Sequence, residues 1–277
     1  MQMELEDTFS DVIGKAQRGL GLDDRALARK SGVGAEVLSG LKAGRFDEAG
    51  LGAVAGPLGL DRAALLALGK GAYPPPEGTD VAGVETFTSA FDGMRVNAYL
   101  VWNPATRAGI AFDTGTDGGP MLEFVGGRGI RVPLILLTHT HDDHVAELAR
   151  LREGTGAHVF VSASEPLDGC ETFAGDHRFK IGGLEVATRA TTGHSAGGTT
   201  YVISGLERPV AVVGDALFAG SMGGGFVSFR DALRTNREAI FTLPDETILC
   251  PGHGPRTTVG HEKRHNPFFA GGAAGLG

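Results

Sequence analysis

The sequence is poor in cysteine, in long apolar runs and in positive charge, and each shortage argues against a class of protein. Only Cys170 and Cys250 occur in 277 residues, so we expect a reduced cytoplasmic protein and not a secreted fold built on disulfides. No apolar run approaches the ~18 residues that a membrane-spanning helix needs, and no membrane partner is expected. The acidic first residues also lack the charged-then-apolar order of a signal peptide.

Acidic residues outnumber basic ones, with 33 Asp and Glu against 25 Lys and Arg and a net charge of −8. Because proteins bind phosphate backbones through basic faces, this balance argues against a nucleic-acid surface that covers the whole protein. Glycine is abundant, and its 45 residues are spread through the patterned segments, which predicts many tight turns. The length allows one large domain or two unequal ones.

The most informative segment covers residues 138–144 and has the sequence T-H-T-H-D-D-H. It follows an apolar run that predicts a buried strand, so its polar side chains lie at the carboxyl end of that strand, where open α/β sheets place their sites. His139 and His141 are two residues apart and can point to the same side. Asp143 and His144 follow in the turn and can reach a second ion nearby. Imidazole and carboxylate ligands together suit zinc, iron or manganese.

Three further motifs each place one potential ligand at a strand end or in a glycine-rich turn. They are Gly193-His194-Ser195, Gly214-Asp215-Ala216-Leu217-Phe218 and Pro251-Gly252-His253-Gly254-Pro255. Since few proteins without a metal place so many polar groups at strand ends, the four motifs together predict a metal centre. The other histidines lack such a context and are predicted not to be ligands: His158, His177, His261 and His265.

This set of motifs resembles the metallo-β-lactamase superfamily over residues 80–268. The resemblance implies an α/β protein, an αββα sandwich with a dinuclear centre along one edge. It implies one ion held by His139, His141 and His194, a second held by Asp143, His144 and His253, and Asp215 as the bridge between them. Zinc is the expected metal, with iron and manganese as alternatives.

The resemblance also implies a hydrolase. Two divalent ions ~3.5–4 Å apart can share a hydroxide that attacks a carbonyl, and Asp143 and Asp215 are then the catalytic carboxylates. Asp113, which ends the predicted strand 108–112, is implied to orient a ligand histidine, because metal-bound imidazoles need such a partner. A simple turn-capping role is the alternative for Asp113.

Within the superfamily, the chain is most similar to the compact bacterial glyoxalase-II-like hydrolases. The resemblance lies in residues 214–223, 243–247 and 251–268, and it implies a thioesterase acting on an S-acylglutathione-like thioester. After Gly223 that family commonly has an arginine and an acidic residue, where this chain has Gly224-Gly225-Phe226. The sequence therefore predicts a neutral pocket wall at this point.

Other functions fit the same motifs. Persulfide dioxygenases share the implied fold and use one iron, which His139, His194 and Asp215 would hold here. A lactonase makes the same demand on the metals as a thioesterase, because its substrate is a cyclic ester. A regulator that senses a ligand in the metal domain and binds DNA through its first residues is a fourth alternative.

Residues 1–72 predict a separate all-helical domain, followed by a stiff proline-rich linker at 73–79 and the catalytic domain at 80–277. Within the helical domain, residues 27–44 resemble the helix-turn-helix of phage-repressor-type proteins, which implies that the helix 35–41 enters the DNA major groove. However, that helix offers Glu36 and Ser39 but no Arg, Asn or Gln to bind base edges.

The helical domain is also not basic: residues 1–75 contain nine Lys or Arg and ten Asp or Glu. Without a basic face, the phosphate attraction that supports DNA binding is weak. We therefore favour a helical module that dimerises or shapes the active-site entrance over one that binds DNA. The expected partners are a small thioester or ester substrate and a second copy of the chain.

Overall fold

Two six-stranded sheets face each other and have helices on their outer faces, in a computed structural model that describes residues 4–74 and 76–272. This is the αββα sandwich that the sequence predicts. The predicted outer limits of the helical and catalytic domains, and Pro75 of the predicted linker, lie outside the described residues. Within the described residues, no helix combines the length and the apolar character needed to cross a membrane.

The amino-terminal region is helical, as predicted. Its helices are α1 (Phe9–Gly19), α2 (Asp24–Ser31), α3 (Ala35–Lys42), α4 (Glu48–Ala55) and α5 (Arg62–Gly69). Side chains at the starts explain several boundaries: Asp23 accepts a hydrogen bond from the amide of Ala26, and Asp61 accepts one from that of Ala64. Thr8 and Asp11 form a reciprocal capping box at α1.

Helices α2 and α3 overlap residues 27–44, the segment that resembles a helix-turn-helix, although α2 already begins at Asp24. The helix-turn-helix itself stays a prediction. Glu36 and Ser39 are exposed on α3, and Lys42 at its end forms an ion pair with Asp24 at 2.5 Å. This pairing reduces the positive charge available to a phosphate. DNA binding by this region stays a prediction.

The first sheet contains β1 (Val84–Phe91), β2 (Met94–Asn103), β3 (Ala108–Phe112), β4 (Arg131–Leu136), β5 (His158–Ser162) and β6 (Glu171–Phe173), in that order. The strands from β1 to β3 are antiparallel, and those from β3 to β6 are parallel. The helices α6 (Gly119–Arg128), α7 (Asp142–Val145) and α8 (Leu148–Thr155) connect the parallel strands. Parallel strands bring their carboxyl ends to one edge, and this places the motif after β4 at that edge.

Two separate helices, α7 and α8, follow the metal motif in place of one continuous helix. The amide of Glu147 donates to the Thr114 hydroxyl at 3.1 Å, and its backbone leaves the helical conformation. The helix therefore restarts at Leu148, and the short α7 holds Asp143 and His144 by itself.

The second sheet has the order β12-β11-β10-β9-β8-β7. Its strands are β7 (Arg178–Ile181), β8 (Leu184–Ala190), β9 (Thr199–Ser204), β10 (Val210–Gly214), β11 (Ile248–Pro251) and β12 (Thr257–Thr258). Only β10 and β11 pair in parallel among these described strands. Helix α9 (Phe229–Thr235) lies between β10 and β11, and α10 (Val259–His265) follows β12.

The space between the sheets is filled by large buried side chains, including Tyr99, Phe112, Tyr201 and Val212. Cys250 is fully buried among them as a free thiol, which packs as a small apolar side chain. The outer face of the first sheet forms a second core with α6 and α8.

The helical region shares a core with the outer face of the second sheet. Val12, Ile13 and Leu65 belong to the same buried cluster as Val213 and Phe229. Apolar periodicity predicts which side of each helix is buried, but it does not say what covers that side. In the structure, the second sheet and α9 cover it.

Polar contacts also join the two regions. The Asp61 amide donates to the Pro267 carbonyl at 2.7 Å, and the hydroxyl of Tyr73, a buried residue of the predicted linker, donates to Glu262 at 2.6 Å. The carboxylate of Glu262 is fully buried and also accepts from Thr257 and from the Gly220 amide. These bonds satisfy a buried charged group, and removing any partner would be costly.

Gly19 tests how much this shared core contributes to stability. A Cβ atom at Gly19 would lie 2.2 Å from Cγ of Phe229, so Gly19→Ala must displace the Phe229 ring or move α1 away from α9. We expect the free energy of unfolding to fall by about 1–3 kcal/mol, the usual result of overpacking. Thermal unfolding followed by circular dichroism measures the change.

Gly126→Ala is the control for the substitution itself, because Gly126 is an exposed residue of α6 (Gly119–Arg128) where a Cβ would meet nothing within 4 Å. It should be neutral or slightly stabilising. If the Gly19→Ala protein is as stable as the Gly126→Ala protein, α1 and α9 are not packed tightly against each other at Gly19.

Candidate metal centre

The structure brings all seven predicted ligands together where strand ends of the two sheets meet. His139, His141, Asp143 and His144 follow β4, His194 lies in the β8–β9 loop, Asp215 follows β10, and His253 follows β11. Two short contacts align the edge: the Gly252 amide donates to the Gly214 carbonyl at 2.9 Å, and Val96 of the first sheet pairs with His253.

The first ligand group consists of three imidazoles. Nε2 of His139 lies 3.1 Å from Nδ1 of His141, and that atom lies 3.0 Å from Nε2 of His194. His139 and His194 are buried, whereas His141 is half-buried. The group is therefore open to solvent on the His141 side.

The second ligand group has one carboxylate and two imidazoles. Oδ2 of Asp143 lies 3.3 Å from Nε2 of His253 and 3.7 Å from Nε2 of His144. All three side chains are buried. The donor set of nitrogen and oxygen suits the same borderline divalent metals as the first group.

Asp215 lies between the two groups. Its Oδ1 is 3.3 Å from Nε2 of His144, and its Oδ2 is 3.4 Å from Nε2 of both His194 and His253. One carboxylate thus faces ligand atoms of both groups, which is the geometry required of a bridging ligand.

Two buried atoms in the cluster test whether a cation fits. Nε2 of His144 and Oδ1 of Asp215 have no hydrogen-bond partner within the described part of the chain, although they lie close together. Buried polar atoms without a partner are rare and costly in proteins. A divalent ion between them would satisfy both, so the residues fit a metal centre.

The other ring nitrogen of four ligands is fixed by a partner outside the cluster. Nδ1 of His144 donates to Asp113 at 2.9 Å, that of His194 to the Gly224 carbonyl at 2.9 Å, and that of His253 to the Arg95 carbonyl at 2.8 Å. Nδ1 of His139 lies 2.9 Å from the Thr138 hydroxyl. Each bond leaves Nε2 facing the centre, as metal-bound histidines require.

Asp113 lies behind the ligands and connects two of them. Its carboxylate accepts from Nδ1 of His144, from the Thr138 amide at 2.7 Å and from the Thr138 hydroxyl at 2.8 Å. It thus orients His144 directly and His139 through Thr138. The backbone of Asp113 has φ 55°, a left-handed conformation that is strained for a residue with a side chain.

The carboxylates make the cluster favourable for positive charge. Burial acts to lower the pKa of His144, but the Asp215 and Asp113 carboxylates outweigh it and raise that pKa to about 10. Burial also acts to raise the pKa of Asp215, but the imidazoles of His144 and His253 hold it well below its ordinary value. A buried site that stabilises positive charge this strongly is suited to a cation.

Two supporting residues gave no signal in the sequence. Glu165 accepts from the Thr140 amide at 2.8 Å and from the Gly197 amide at 2.6 Å, and so it ties the loop of His139 and His141 to the loop after His194. Glu6, from the amino-terminal segment, lies 4.0 Å from Nδ1 of His253. Both are single carboxylates in ordinary loop sequence, so only the folded chain shows where they act.

Comparison with known proteins agrees with a metal-binding centre in this fold. A sequence model of the metallo-β-lactamase superfamily matches residues 91–253. The probable metallo-hydrolase YqgX of Bacillus subtilis is 31% identical over 204 residues, which cover 64% of this chain and 94% of that protein. The hydroxyacylglutathione hydrolase GloC of Haemophilus influenzae is 28% identical over 201 residues, which cover 62% of this chain and 92% of that protein.

A solved structure shows the same arrangement of sheets and helices. The crystal structure of ETHE1 from Myxococcus xanthus superposes with a TM-score of 0.59 and 27% identity, covering 68% of this chain and 85% of that one. The matching region excludes about a third of this chain, which leaves room for the helical region as an addition.

Asp113→Asn tests the orientation of the ligands. The change removes the negative charge that accepts from His144 but leaves every proposed ligand in place. We expect the metal affinity to fall by about 10–100-fold, as is usual when such a partner is lost. Competition with a chromophoric chelator measures the affinity.

Asp117→Asn is the matched control, because that aspartate lies in the same loop but is 57% exposed and pairs with Arg150. Its metal affinity should equal that of the parent protein. If the Asp113→Asn protein also binds metal as tightly as the parent, Asp113 does not position the ligands.

Proposed function

Since the chain belongs to the metallo-β-lactamase superfamily and is a metallo-hydrolase of that family, we propose that it hydrolyses a thioester of the S-acylglutathione type. The proposal rests chiefly on one observation, the Asp215 carboxylate between two complete ligand groups. Two ions held there would activate water and polarise the scissile carbonyl. Zinc is the first choice of metal, with iron and manganese as alternatives.

The side chains of such a site have different roles. The three imidazoles of the first group and the Asp143 group would hold one ion each, and Asp215 would hold both at a fixed separation. Burial of these side chains limits the access of bulk water, which strengthens their interaction with charge in the reacting groups. Asp113 and Thr138 keep the imidazoles in place throughout.

A thioester suits this site better than an amide does. A thiol ionises near pH ~8.5, so it leaves as a thiolate without a strong general acid. An amine leaving group would need a proton from such an acid. The similarity to the hydroxyacylglutathione hydrolase GloC and the matching motifs at 214–223 and 251–268 support the thioester further.

The second ligand group favours a hydrolase over an iron dioxygenase. A single iron would need only His139, His194 and Asp215. Yet His253 also lies 3.4 Å from Asp215, and Asp143 lies 3.3 Å from His253. Hydrolysis of a lactone needs the same attack of an activated water on a carbonyl as hydrolysis of a thioester. Lactones should therefore be tested beside thioesters as substrates.

Metal content is the first measurement, in protein purified without chelator or metal-affinity resin. We expect close to two ions per chain, and hydrolysis of S-D-lactoylglutathione or a related thioester by that protein. Close to one iron per chain, with oxygen uptake in the presence of a persulfide, would instead establish the dioxygenase.

Asp215→Ala should lose metal and most of the activity, because it removes the shared ligand. A fall in kcat/KM on the order of 100-fold or more is expected, which corresponds to the loss of about 3 kcal/mol or more of metal-derived stabilisation of the transition state. Metal analysis and steady-state kinetics on the same preparation measure both effects.

Asp142→Ala is the matched control, since Asp142 is an exposed aspartate beside Asp143 and belongs to none of the ligand groups. It should keep both its metal and its activity. Full activity in metal-depleted Asp215→Ala protein would refute the assignment of the centre.

A further inference from the structure

Two neighbouring apolar side chains stand out on the surface. Among the residues that the structure describes, five large apolar side chains are exposed, and Phe226 and Val227 are the most exposed, at 73% and 61%. Single exposed apolar residues are ordinary, but two adjacent ones at a functional site usually mark a binding surface.

Phe226 lies at the open side of the first ligand group. Its ring centroid is 5.2 Å from that of His194 and 6.5 Å from that of His141. His141 is the half-buried ligand of that group, so the ring stands beside the route by which a substrate reaches the centre.

The loop that presents Phe226 is held in one shape. The amides of Val227 and Ser228 both donate to the Gly193 carbonyl at 3.0 Å, and the Gly224 carbonyl accepts from His194. A Cβ atom at Gly224 would lie 2.9 Å from the ring of Phe226, so the ring lies directly over this glycine. The exposure of Phe226 is thus a fixed feature of the folded loop.

The side of the centre beyond His253 carries charged groups. A cavity of about 320 Å³ there is lined by charged side chains such as Glu6 and Arg95 as well as by apolar ones such as Met94. An apolar part of a substrate would lie against those charges at that side, whereas beside Phe226 it would lie against an aromatic ring, and apolar groups gain free energy where they leave water for an apolar surface.

We propose that Phe226 and Val227 form an apolar rim that binds an apolar chain of the substrate as it lies over His141 and His194. The inference rests on the proposed thioesterase function and names its substrate class: thioesters with an extended apolar chain. The neutral sequence Gly224-Gly225-Phe226 then replaces charge recognition with apolar contact at this wall.

The test uses two series of thioesters with the metal-loaded protein. In one series, the acyl group of N-acetylcysteamine thioesters lengthens from acetyl to octanoyl. In the other, the acyl group stays acetyl and the thiol lengthens from ethanethiol to hexanethiol. We expect kcat/KM to rise with chain length in one series. Phe226→Ala should reduce this gain in kcat/KM, from the shortest to the longest thioester, by about tenfold and mainly through KM. The kcat/KM for the shortest thioester should change little.

Matched variants separate the rim from general effects. Phe226→Leu keeps an apolar side chain and should retain most of the gain. Phe46→Ala removes an aromatic residue that is 43% exposed in the helical region, and it should leave the gain unchanged. A rise confined to the acyl series assigns the rim to the acyl chain, and a rise confined to the thiol series assigns it to the thiol.

Failure of the rim is distinguishable from failure of the proposed function. If thioesters are hydrolysed but neither series depends on Phe226, the rim is refuted and the thioesterase stands. If no thioester is hydrolysed, the proposed function fails. Calorimetric binding of the uncleavable thioether S-hexyl-N-acetylcysteamine then tests the apolar rim independently of hydrolysis. Equal affinity in the parent and Phe226→Ala proteins refutes it, whereas weaker binding to the variant supports it.

Discussion

The position of the Asp215 carboxylate between imidazoles of both sheets is the constraint on which the rest of the site depends. A buried anion is costly unless partners surround it, and here His144 follows a strand of the first sheet while His194 and His253 belong to the second. Those imidazoles reach Asp215 only because their outer nitrogens are held by Asp113 and by backbone carbonyls. The two sheets must therefore face each other in this way for the ligand side chains of the centre to come together.

The sequence predicts the metal ligands better than it predicts the residues that hold the surrounding loops in place. The spacing of His139, His141, Asp143 and His144 after a buried strand is a local pattern, and so the metal motif and the αββα fold can be inferred from it and the resemblance it brings. Glu165 joins two loops that are distant in sequence, and no local pattern marks such a contact. For the same reason, the lack of an arginine and an acidic residue at Gly224–Phe226 predicts a neutral pocket wall, but it does not predict that the Phe226 ring lies beside His194.

The helical region contacts the loop that follows Asp215, which bears on the expectation that it shapes the active-site entrance. Lys15 of α1 forms an ion pair with Asp7 and donates to the Met222 carbonyl at 2.9 Å. Its ammonium also lies 4.9 Å from the ring of Phe218, which in turn packs 5.5 Å from the ring of His253. A chain of direct contacts therefore connects the first helix to a proposed ligand.

The shared core of the helical region and the second sheet also affects how the chain folds during synthesis. Helix α1 leaves the ribosome early, whereas Val213 and Phe229, which belong to the same buried cluster as Ile13, are made much later. Until then the apolar side of α1 lacks the partners that cover it in the finished protein, and exposed apolar surface on a nascent chain is prone to aggregation. Contacts between such distant segments also slow folding, so α1 becomes stable only after the segment that contains Val213 and Phe229 has been translated.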